Sequence, residues 1–209
     1  YYGLEDTGKV GSMFMQGNDV RVFREGSFEC WLKPSFDPEE VYDPNTPLSD
    51  YNRQFLVFSA NAPGAGAELL MLYYNADDRG MRLLKQEVDG SYSVCVASPA
   101  PLAKGQWNYV GVSWGDHIRL NVNGKTTDAP VPGSIKSDTM QVAMRLRLQH
   151  FAIDEVRLSR IQRPLNGVPT APLEDDADTV VLNSFDTPGA LTPTGTPSEV
   201  FQIDACALA

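Results

Sequence analysis

Hydrophobic and polar residues follow a period of two in the middle of the chain. In residues 118–123 apolar side chains alternate strictly with polar ones, which predicts a strand with one buried face. Asn123 and Gly124 follow, a pair that adopts the positive φ values of a type I′ hairpin turn at little cost. Residues 107–114 precede the run across a Gly-Asp turn. This stretch therefore predicts a three-stranded antiparallel meander.

A second hairpin is predicted over residues 81–97, where Asp89 and Gly90 separate two apolar-rich runs and suit a type I′ turn. No segment has the period of a convincing helix. Short strands separated by turn residues predict an all-β fold, either a sandwich or a barrel. Further strands are predicted over residues 13–15, 19–23, 27–33, 54–59, 68–74, 141–148, 150–158 and 179–185.

The composition is that of one soluble globular domain. With 209 residues, of which 42% are hydrophobic and 21% charged, the chain can bury a single core without added staples. Its formal net charge of -10 argues against nucleic acid and anionic membrane surfaces as partners, because both bind positive patches. No apolar run approaches the about 20 residues of a membrane span, so we expect no membrane insertion. The first residues show no signal peptide.

Three segments rich in proline and polar residues interrupt the strand pattern. Residues 35–53 predict a long surface loop, and loops of this length are often functional. Residues 165–178 predict a surface connection without core residues. Residues 187–198 have the composition of a linker. The apolar residues from Val200 onward predict either a docked edge element or a contact with another chain.

The three cysteines, Cys30, Cys95 and Cys206, are an odd number and do not define a disulfide framework. Cys30 and Cys95 lie in apolar strand patterns, where a thiol behaves as a small hydrophobe. We expect buried thiols, with a Cys30–Cys95 bridge as the alternative. None of the three has the spacing of a zinc site.

Three separated segments resemble laminin-G-like domains. They are Gly26–Pro34 (GSFECWLKP), residues 102–113 together with 118–125 (LAKGQWNYVGVS and IRLNVNGK), and residues 151–160 (FAIDEVRLSR). In this order they are similar to the early strand, the central meander and the late strand of that family. Two positions depart from the family pattern, Asn123 in place of Asp and Asn108 in place of His, and neither disturbs the fold.

The resemblance implies a concanavalin A-like jelly roll, a β-sandwich of two antiparallel sheets with residues 179–185 as the closing strand beside residues 13–15. Laminin-G-like domains bind glycans, proteins or sulfated chains, often with calcium, and many are parts of larger secreted proteins. We accordingly expect one such domain over residues 1–186 and a linker or terminal arm over residues 187–209. The chain is expected to be secreted or at the cell surface, with other domains of the same polypeptide among its candidate partners.

The expected chemistry of the chain is recognition rather than catalysis. Glycoside hydrolysis needs two carboxylates facing one sugar bond, and the E-x-D-x-x-E run of glucanases with this fold does not occur here. Asp154 and Glu155 are adjacent, so on a regular strand they would point to opposite faces. His117 is expected on an exposed hairpin tip, and neither it nor His150 is assigned a catalytic role. We therefore predict that the chain is not an enzyme.

Two clusters of aromatic and polar residues have the composition of a sugar site, where rings stack on aromatic faces beside hydrogen-bonding groups. Ordinary loop chemistry is the alternative for both clusters. The tryptophans Trp31, Trp107 and Trp114 lie in strand patterns, so we expect them in the core or at its edge. The carbohydrate-binding candidates are Tyr42, Tyr51, Asn52 and Arg53 in the long loop, and Tyr73, Tyr74, Asn75, Asp77, Asp78 and Arg79 at a turn.

A structural calcium ion is the cofactor that the resemblance implies. In laminin-G-like folds an ion often joins the Asp of the late strand to backbone near the early strands, and Asp154 matches that Asp. Oxygen atoms are the ligands that calcium prefers. The alternative is that Asp154 caps a turn or pairs with Arg157 or Arg160. The expected ligands are Asp154, Asn18, Asp19 and the carbonyl group of Gly26.

The sequence thus predicts a non-catalytic, carbohydrate-binding recognition module. A structural or protein-adhesion domain of a larger surface protein is the alternative, and a glycoside hydrolase or lyase is less favoured. Exposed aromatic residues on one face would favour glycan binding. A flat apolar patch or a docked terminal arm would favour adhesion.

Overall fold

The computed structural model describes residues 4–6, 12–16, 25–35, 54–61, 68–75, 79–86, 91–98, 101–130, 143–147, 151–185, 200–204 and 206–208. In these ranges the chain forms fifteen β-strands and no helix, and hence no helix long and apolar enough to cross a membrane. The strands are β1 (Leu4–Asp6), β2 (Ser12–Gln16), β3 (Gly26–Pro34), β4 (Gln54–Asn61), β5 (Glu68–Asn75), β6 (Gly80–Gln86), β7 (Tyr92–Ala97), β8 (Asn108–Trp114), β9 (His117–Val122), β10 (Lys125–Pro130), β11 (Ala143–Arg147), β12 (Phe151–Ser159), β13 (Thr179–Asn183), β14 (Val200–Asp204) and β15 (Cys206–Leu208).

The strands form two antiparallel sheets, which confirms the predicted all-β sandwich. The first sheet has eight strands in the order β10-β9-β8-β3-β12-β1-β15, with β13 also paired to β12. The second has seven strands in the order β14-β2-β11-β4-β5-β6-β7. Every ladder between neighbouring strands of the two sheets is antiparallel.

The core lies between the sheets and follows from the alternation of side chains along each strand. From the second sheet, β5 and β6 contribute every second residue, and from the first sheet β3, β8 and β9 do the same. In β12 this alternation is interrupted between Ile153 and Val156. The outer face of each sheet carries the intervening residues. Major core residues are Phe28, Cys30, Leu32, Leu70, Leu72, Tyr74, Met81, Leu83, Val110, Val112, Trp114, Ile118, Leu120, Val122, Ile153 and Leu158.

The predicted meander is confirmed as β8, β9 and β10. Asn123 and Gly124, with φ values of 51° and 82°, form the turn between β9 and β10, as the Asn-Gly signal predicts. The Asn123 side chain also accepts a hydrogen bond of 3.0 Å from the backbone N–H of Tyr109. The predicted hairpin of β6 and β7 is confirmed by their pairing, whereas Asp89 and Gly90 lie outside the described residues.

The two ends of the described chain lie side by side in the first sheet, as expected for this fold. Leu4 in β1 is paired with Leu208 in β15, and β14 pairs with β2 at the edge of the second sheet. The terminal strands are therefore docked, and the sandwich extends past the predicted domain boundary at residues 186 and 187. The closing strand was predicted wrongly: β13 pairs with β12 in the first sheet, and not with β2.

Residues 161–178, here called the strap, cross the outer face of the first sheet without forming a strand. The buried Asn121 donates a hydrogen bond of 2.7 Å to the carbonyl of Leu165, and Gln162 donates one of 2.6 Å to the carbonyl of His117. Leu165 is only 5% exposed and packs against Gly111. The prediction that this connection contains no core residue is therefore wrong at Leu165.

Candidate functional site

The predicted cluster at the turn between β5 and β6 is divided by the sheet between its two faces. Tyr73 is partly exposed on the outer face and lies opposite Arg82 in the ladder. Tyr74 points to the core, is 1% exposed and meets the ring of Phe151 edge to face at 5.6 Å. A ring in this position has no face for a sugar, so the prediction is wrong for Tyr74. Asn75 is also buried.

The remaining members of that cluster and the long loop are only partly covered by the structure. Arg79 is partly exposed and holds a turn position with a φ of 54°. The predicted site residues Tyr42, Tyr51, Asn52, Arg53, Asp77 and Asp78 lie outside the described residues.

Two of the three tryptophans lie on the outer face of the first sheet. Trp114 belongs to the core, as predicted. Trp31 alternates with the core residues Cys30 and Leu32 along β3 and is partly exposed. Trp107 is also partly exposed, and the expectation that these side chains lie in the core or at its edge is wrong for Trp31 and Trp107.

Trp31, Lys33, Trp107 and Tyr109, here called the aromatic row, are held by defined contacts. The indole N–H of Trp31 donates a hydrogen bond of 3.1 Å to Glu155, and its ring meets that of Tyr109 edge to face at 5.8 Å. The ammonium group of Lys33 lies 5.0 Å from the centre of the Trp107 ring, a cation–π distance. The row therefore places two partly exposed indoles and one cation on the same face.

A β-bulge in β12 positions Glu155 beside this row. The register between β12 and β3 shifts between Asp154 and Arg157, and Glu155 has a φ of 48°, a left-handed conformation that is uncommon for a residue with a side chain. Asp154 lies opposite Trp31 in the ladder, and Glu155 binds the same Trp31. The expectation that the two carboxylates point to opposite faces is therefore wrong, because the bulge interrupts the alternation.

Glu29, on the same outer face, is the centre of a buried ionic network. Its carboxylate accepts hydrogen bonds from the hydroxyl of Tyr109 at 2.6 Å and from Arg157 at 2.9 Å. Burial, and then the charge of Glu29, raise the pKa of the Tyr109 hydroxyl far above its ordinary value. Glu29 therefore links the three strands β3, β8 and β12.

Asp154 is completely buried, and its carboxylate accepts a hydrogen bond of 2.8 Å from the backbone N–H of Glu155. Asp154 lies opposite Trp31 in the ladder, and Gly26 lies five residues before Trp31 along β3. Five residues of a strand span about 16 Å, so Gly26 and Asp154 cannot bind one ion. The absence of a side chain at Gly26 instead makes room for the ring of Trp114. Asn18 and Asp19 lie outside the described residues.

No group of three or more His, Cys, Asp and Glu side chains that could hold a metal ion occurs in the described ranges. Of the two arginines predicted as alternative partners of Asp154, Arg157 forms a 2.7 Å ion pair with Glu29 and Arg160 is exposed, and their pairing with Asp154 stays a prediction. The predicted calcium site therefore loses Gly26, and its remaining ligands stay a prediction.

The cysteines, the histidines and one serine are the remaining side chains with possible reactivity. Cys30 is buried and Cys95 partly buried, and no disulfide joins them; burial raises the pKa of the Cys30 thiol. His117 is exposed, as predicted, whereas His150 lies outside the described residues. Residues 111–115 read G-x-S-x-G, a pattern that sequence reasoning overlooked, but Ser113 is fully buried inside β8. A serine nucleophile requires an exposed turn, so this match has no catalytic meaning.

Comparisons with known proteins relate the chain to other β-sandwiches through structure alone. No protein-family model matches the chain, and no curated protein matches it. A Bacteroides ovatus protein assigned as carbohydrate-binding matches 100% of this chain with a TM-score of 0.65 at 12% identity. The binding domain of botulinum neurotoxin serotype D matches 78% of it with a TM-score of 0.52 at 11% identity.

A carbohydrate-binding module of family 66 from Bacillus subtilis is also similar, with a TM-score of 0.43 at 12% identity over 72% of this chain and 83% of the module. The chain spans 59% of the Bacteroides ovatus protein and 39% of the toxin domain chain. At these identities the likeness to the Bacteroides ovatus protein and to the toxin domain shows the fold alone, and it supports the all-β sandwich independently of the strand pattern.

Proposed function

We propose that the chain is a non-catalytic recognition module that binds glycan, and that it belongs to a secreted or cell-surface protein. The observation that carries the proposal is that partly exposed aromatic side chains lie on the outer faces of both sheets, each beside a cation. Tyr73 lies opposite Arg82 on the second sheet, and Trp107 lies under Lys33 on the first.

This combination suits sugars because the two faces of a pyranose ring differ from its rim. The C–H groups of the ring pack on aromatic faces, and the hydroxyl groups need charged or polar side chains around them. The fold supports the proposal in a second way. One structural match that covers the whole chain is a protein assigned as carbohydrate-binding, and the residues quoted above resemble laminin-G-like, concanavalin A-like domains.

The positions of the carboxylates favour binding over hydrolysis. A glycosidase needs two carboxyl groups about 5–10 Å apart, facing a sugar bond. Asp154 and Glu155 share a face but are buried, and Glu155 is already hydrogen-bonded by Trp31 and by the backbone N–H of Leu173. Glu29 is likewise engaged by Tyr109 and Arg157.

A structural or protein-adhesion domain is the second candidate function. The observation that favours it is the docking of β14 and β15 at the edges of the two sheets, because an edge strand of this kind is the element that another chain can supply or receive. Such a domain would have other domains of its own polypeptide, or a surface protein, as its partners.

Calcium through Asp154 and glycan contacts from Tyr42, Tyr51, Asn52 and Arg53 in the long loop are further parts of the proposal. If calcium binds the folded chain, a hundredfold excess over the dissociation constant adds about 2.7 kcal/mol to the free energy of unfolding. Melts with EDTA and with millimolar calcium measure this, and Asp154→Ala is expected to abolish the difference. Identical curves for the unmodified chain would rule out a stabilising ion.

A glycan array probed with the full chain tests the proposed function, once with calcium and once with EDTA. Binding to a defined set of glycans is expected. Absence of binding to every glycan on the array would overturn the proposal and favour the adhesion candidate. Pull-down with the remaining domains of the polypeptide is then the next measurement.

A further inference from the structure

We infer that the strap regulates the proposed glycan site on the first sheet, and that Glu155 is the positioning residue that couples the strap to the indole of Trp31. The inference rests on the proposed function and adds to it the condition under which the site is ready for a ligand. While the strap is docked, the Glu155 carboxylate is fixed and orients the indole. When the strap leaves the sheet, that orientation is lost.

The first support is that the strap and Trp31 share a single acceptor atom. Oε2 of Glu155 accepts a 3.1 Å hydrogen bond from the indole N–H of Trp31 and a 3.4 Å hydrogen bond from the backbone N–H of Leu173. Glu155 is only 4% exposed, so losing one donor from its carboxylate is costly. The position of this oxygen, and with it the direction of the indole, therefore depends on the strap.

The second support is the strained backbone at Glu155. Its φ is 48°, and it lies within the register shift between Asp154 and Arg157. A left-handed conformation at a residue with a side chain persists only where the surroundings fix it, and such residues cluster at switch regions and ligand sites. Undocking of the strap removes one of the contacts that fix Glu155, so the strain favours movement of this residue when the strap leaves.

The third support is the course of the strap between its two contacts with the sheet. Val168 lies at the turn between β9 and β10, where its Cγ2 atom is 3.4 Å from the place that a Cβ at Gly124 would take. Leu173 lies at Glu155 in β12. Three strand spacings, about 14 Å, separate β9 from β12 across β8 and β3. Five residues reach at most about 18 Å, so residues 169–172 run nearly extended between these two points.

This course follows the row of residues that contains Trp31. Tyr109 pairs with Trp31 across β8 and β3, and Trp31 pairs with Asp154 across β3 and β12. At the other end, the side chain of Asn123 accepts a hydrogen bond from the backbone N–H of Tyr109. The strap segment thus begins and ends at the two ends of this row. Trp31 remains partly exposed, so a sugar ring can stack on it beside the strap.

The contacts of the strap are those of an element that can open locally. It forms no strand, and its anchors include Leu165 on Gly111 and the largely exposed pair of Asp176 and Arg163. Segments with few buried contacts open at a lower free energy than the core of a fold. A ligand that requires the oriented indole binds the docked form better, and by linkage it stabilises docking by the same factor.

Acrylamide quenching of tryptophan fluorescence in a Trp107→Phe background tests the coupling without a ligand. It reports Trp31, because Trp114, the remaining tryptophan, is 2% exposed. Leu173→Pro removes the backbone N–H donor, and Glu155→Gly removes the acceptor without adding backbone strain. Both are expected to raise the quenching. Leu173→Ala and Glu155→Gln are the matched controls, since they keep the donor and the acceptor, and should leave it nearly unchanged.

Dilution series of the same four variants on the glycan array, with Trp107 intact, test the regulation. Leu173→Pro and Glu155→Gly are expected to weaken glycan binding about fivefold, the effect of one lost hydrogen bond. Leu173→Ala and Glu155→Gln should stay within about twofold of the unmodified chain, because an amide oxygen can still accept both hydrogen bonds. Melting curves confirm that each variant is folded.

The outcomes separate the regulation from the proposed function. Unchanged quenching in Leu173→Pro would overturn the coupling of strap and indole. Raised quenching with unchanged glycan binding would overturn the regulation and leave the proposed function intact. Equal weakening by Leu173→Ala and Leu173→Pro would assign the effect to the leucine side chain, and so overturn the role of the hydrogen bond. Absence of binding by the unmodified chain to any glycan would instead contradict the proposed function itself.

Discussion

Glu29 is a carboxylate that the fold removes from water and then compensates. Its side chain is 3% exposed, and Arg157, at 2.7 Å, is 13% exposed. Removing one partner of such a pair leaves the other charge buried without compensation, which lowers the free energy of unfolding strongly. Replacing both partners by apolar residues would have a much smaller effect. The network is therefore sensitive to single substitutions.

Glu29→Ala is expected to lower the free energy of unfolding by about 3 kcal/mol, because the charge of Arg157 stays buried and the hydroxyl of Tyr109 loses its acceptor. Urea denaturation of the full chain measures the change. Asp128→Ala is the control, since Asp128 forms a 2.6 Å pair with Arg119 that is largely exposed; its effect should stay within about 1 kcal/mol. Equal effects of the two substitutions would contradict the buried network.

Asp176 introduces a pH dependence at the strap. The hydrogen bond from Arg163 holds the pKa of Asp176 well below its usual range. Because the folded pKa is lower than the unfolded value of about 4, this contact stabilises the folded state above pH 4, and the stabilisation is lost as the pH falls below that value. The carboxylate is largely exposed, so the effect is small.

We expect the melting temperature to fall between about pH 5 and pH 2, and to fall less steeply in Asp176→Asn than in the unmodified chain. Melts across this pH range measure both slopes. Asp175→Asn, an exposed neighbour in the strap, is the control that changes net charge equally. If both variants gave the same pH profile, the contact between Asp176 and Arg163 would have no role in stability.

Among the elements, the strap differs most from what its composition indicates. Its proline and acidic residues are typical of an exposed connection, yet Ser27 donates a 2.6 Å hydrogen bond to the carbonyl of Ile161 and accepts a 2.7 Å hydrogen bond from the backbone N–H of Arg163. Leu165 then packs on Gly111, where the outer face of β8 has no side chain. The strap thus closes a small second layer over the first sheet.

Leu165→Ala is expected to destabilise the chain by about 2–3 kcal/mol, since it removes buried methyl groups and leaves a cavity above Gly111. Val168→Ala is the control, because Val168 is 38% exposed in the same strap and its truncation should change stability by no more than about 0.5 kcal/mol. Chemical denaturation gives both values. A negligible change for Leu165→Ala would show that the strap contributes no packing energy.

The strands and the strap show which features of the chain are local and which are not. The meander was predictable because alternation and an Asn-Gly turn are properties of neighbouring residues. β3 was predictable as a strand, but its buried residues lie on both faces, since each of the residues 26–30 is buried. Alternation therefore cannot tell which face Trp31 occupies. The bulge at Glu155 and the buried Leu165 depend on partners distant in sequence, and no local pattern encodes them.

At the scale of the whole molecule, the terminal strands belong to both sheets. β15 lies at the edge of the first sheet and β14 at the edge of the second, which is the docked edge element of the two alternatives predicted for the residues from Val200 onward. The candidate site is less predictable than the fold because its residues come from segments that are distant in sequence. The predicted loop clusters were chosen by composition, and the aromatic row becomes visible only when β3, the segment before β8 and the bulge of β12 are brought together.

Truncation after residue 199 is expected to lower the melting temperature by about 5 °C or more, because it removes the edge strands β14 and β15 together with their hydrogen bonds to β2 and β1. Truncation after residue 205, which removes only β15, should have a smaller effect. Calorimetric melts of the two shortened chains and the full chain give the series. Equal melting temperatures for all three would show that residues 200–208 form an arm that contributes nothing to the sandwich.

The pairing of Leu4 with Leu208 also determines how the sandwich can be built into another polypeptide. Paired Cα atoms of antiparallel strands are about 5 Å apart, so the chain enters and leaves the first sheet at nearly one point. A host protein can therefore carry the whole sandwich as an insertion within a single surface turn, with little change in the distance that the turn must span. By the same geometry, a few glycines joining residue 208 to residue 4 would permit circular permutation, with new ends opened in an exposed hairpin such as Asn123-Gly124.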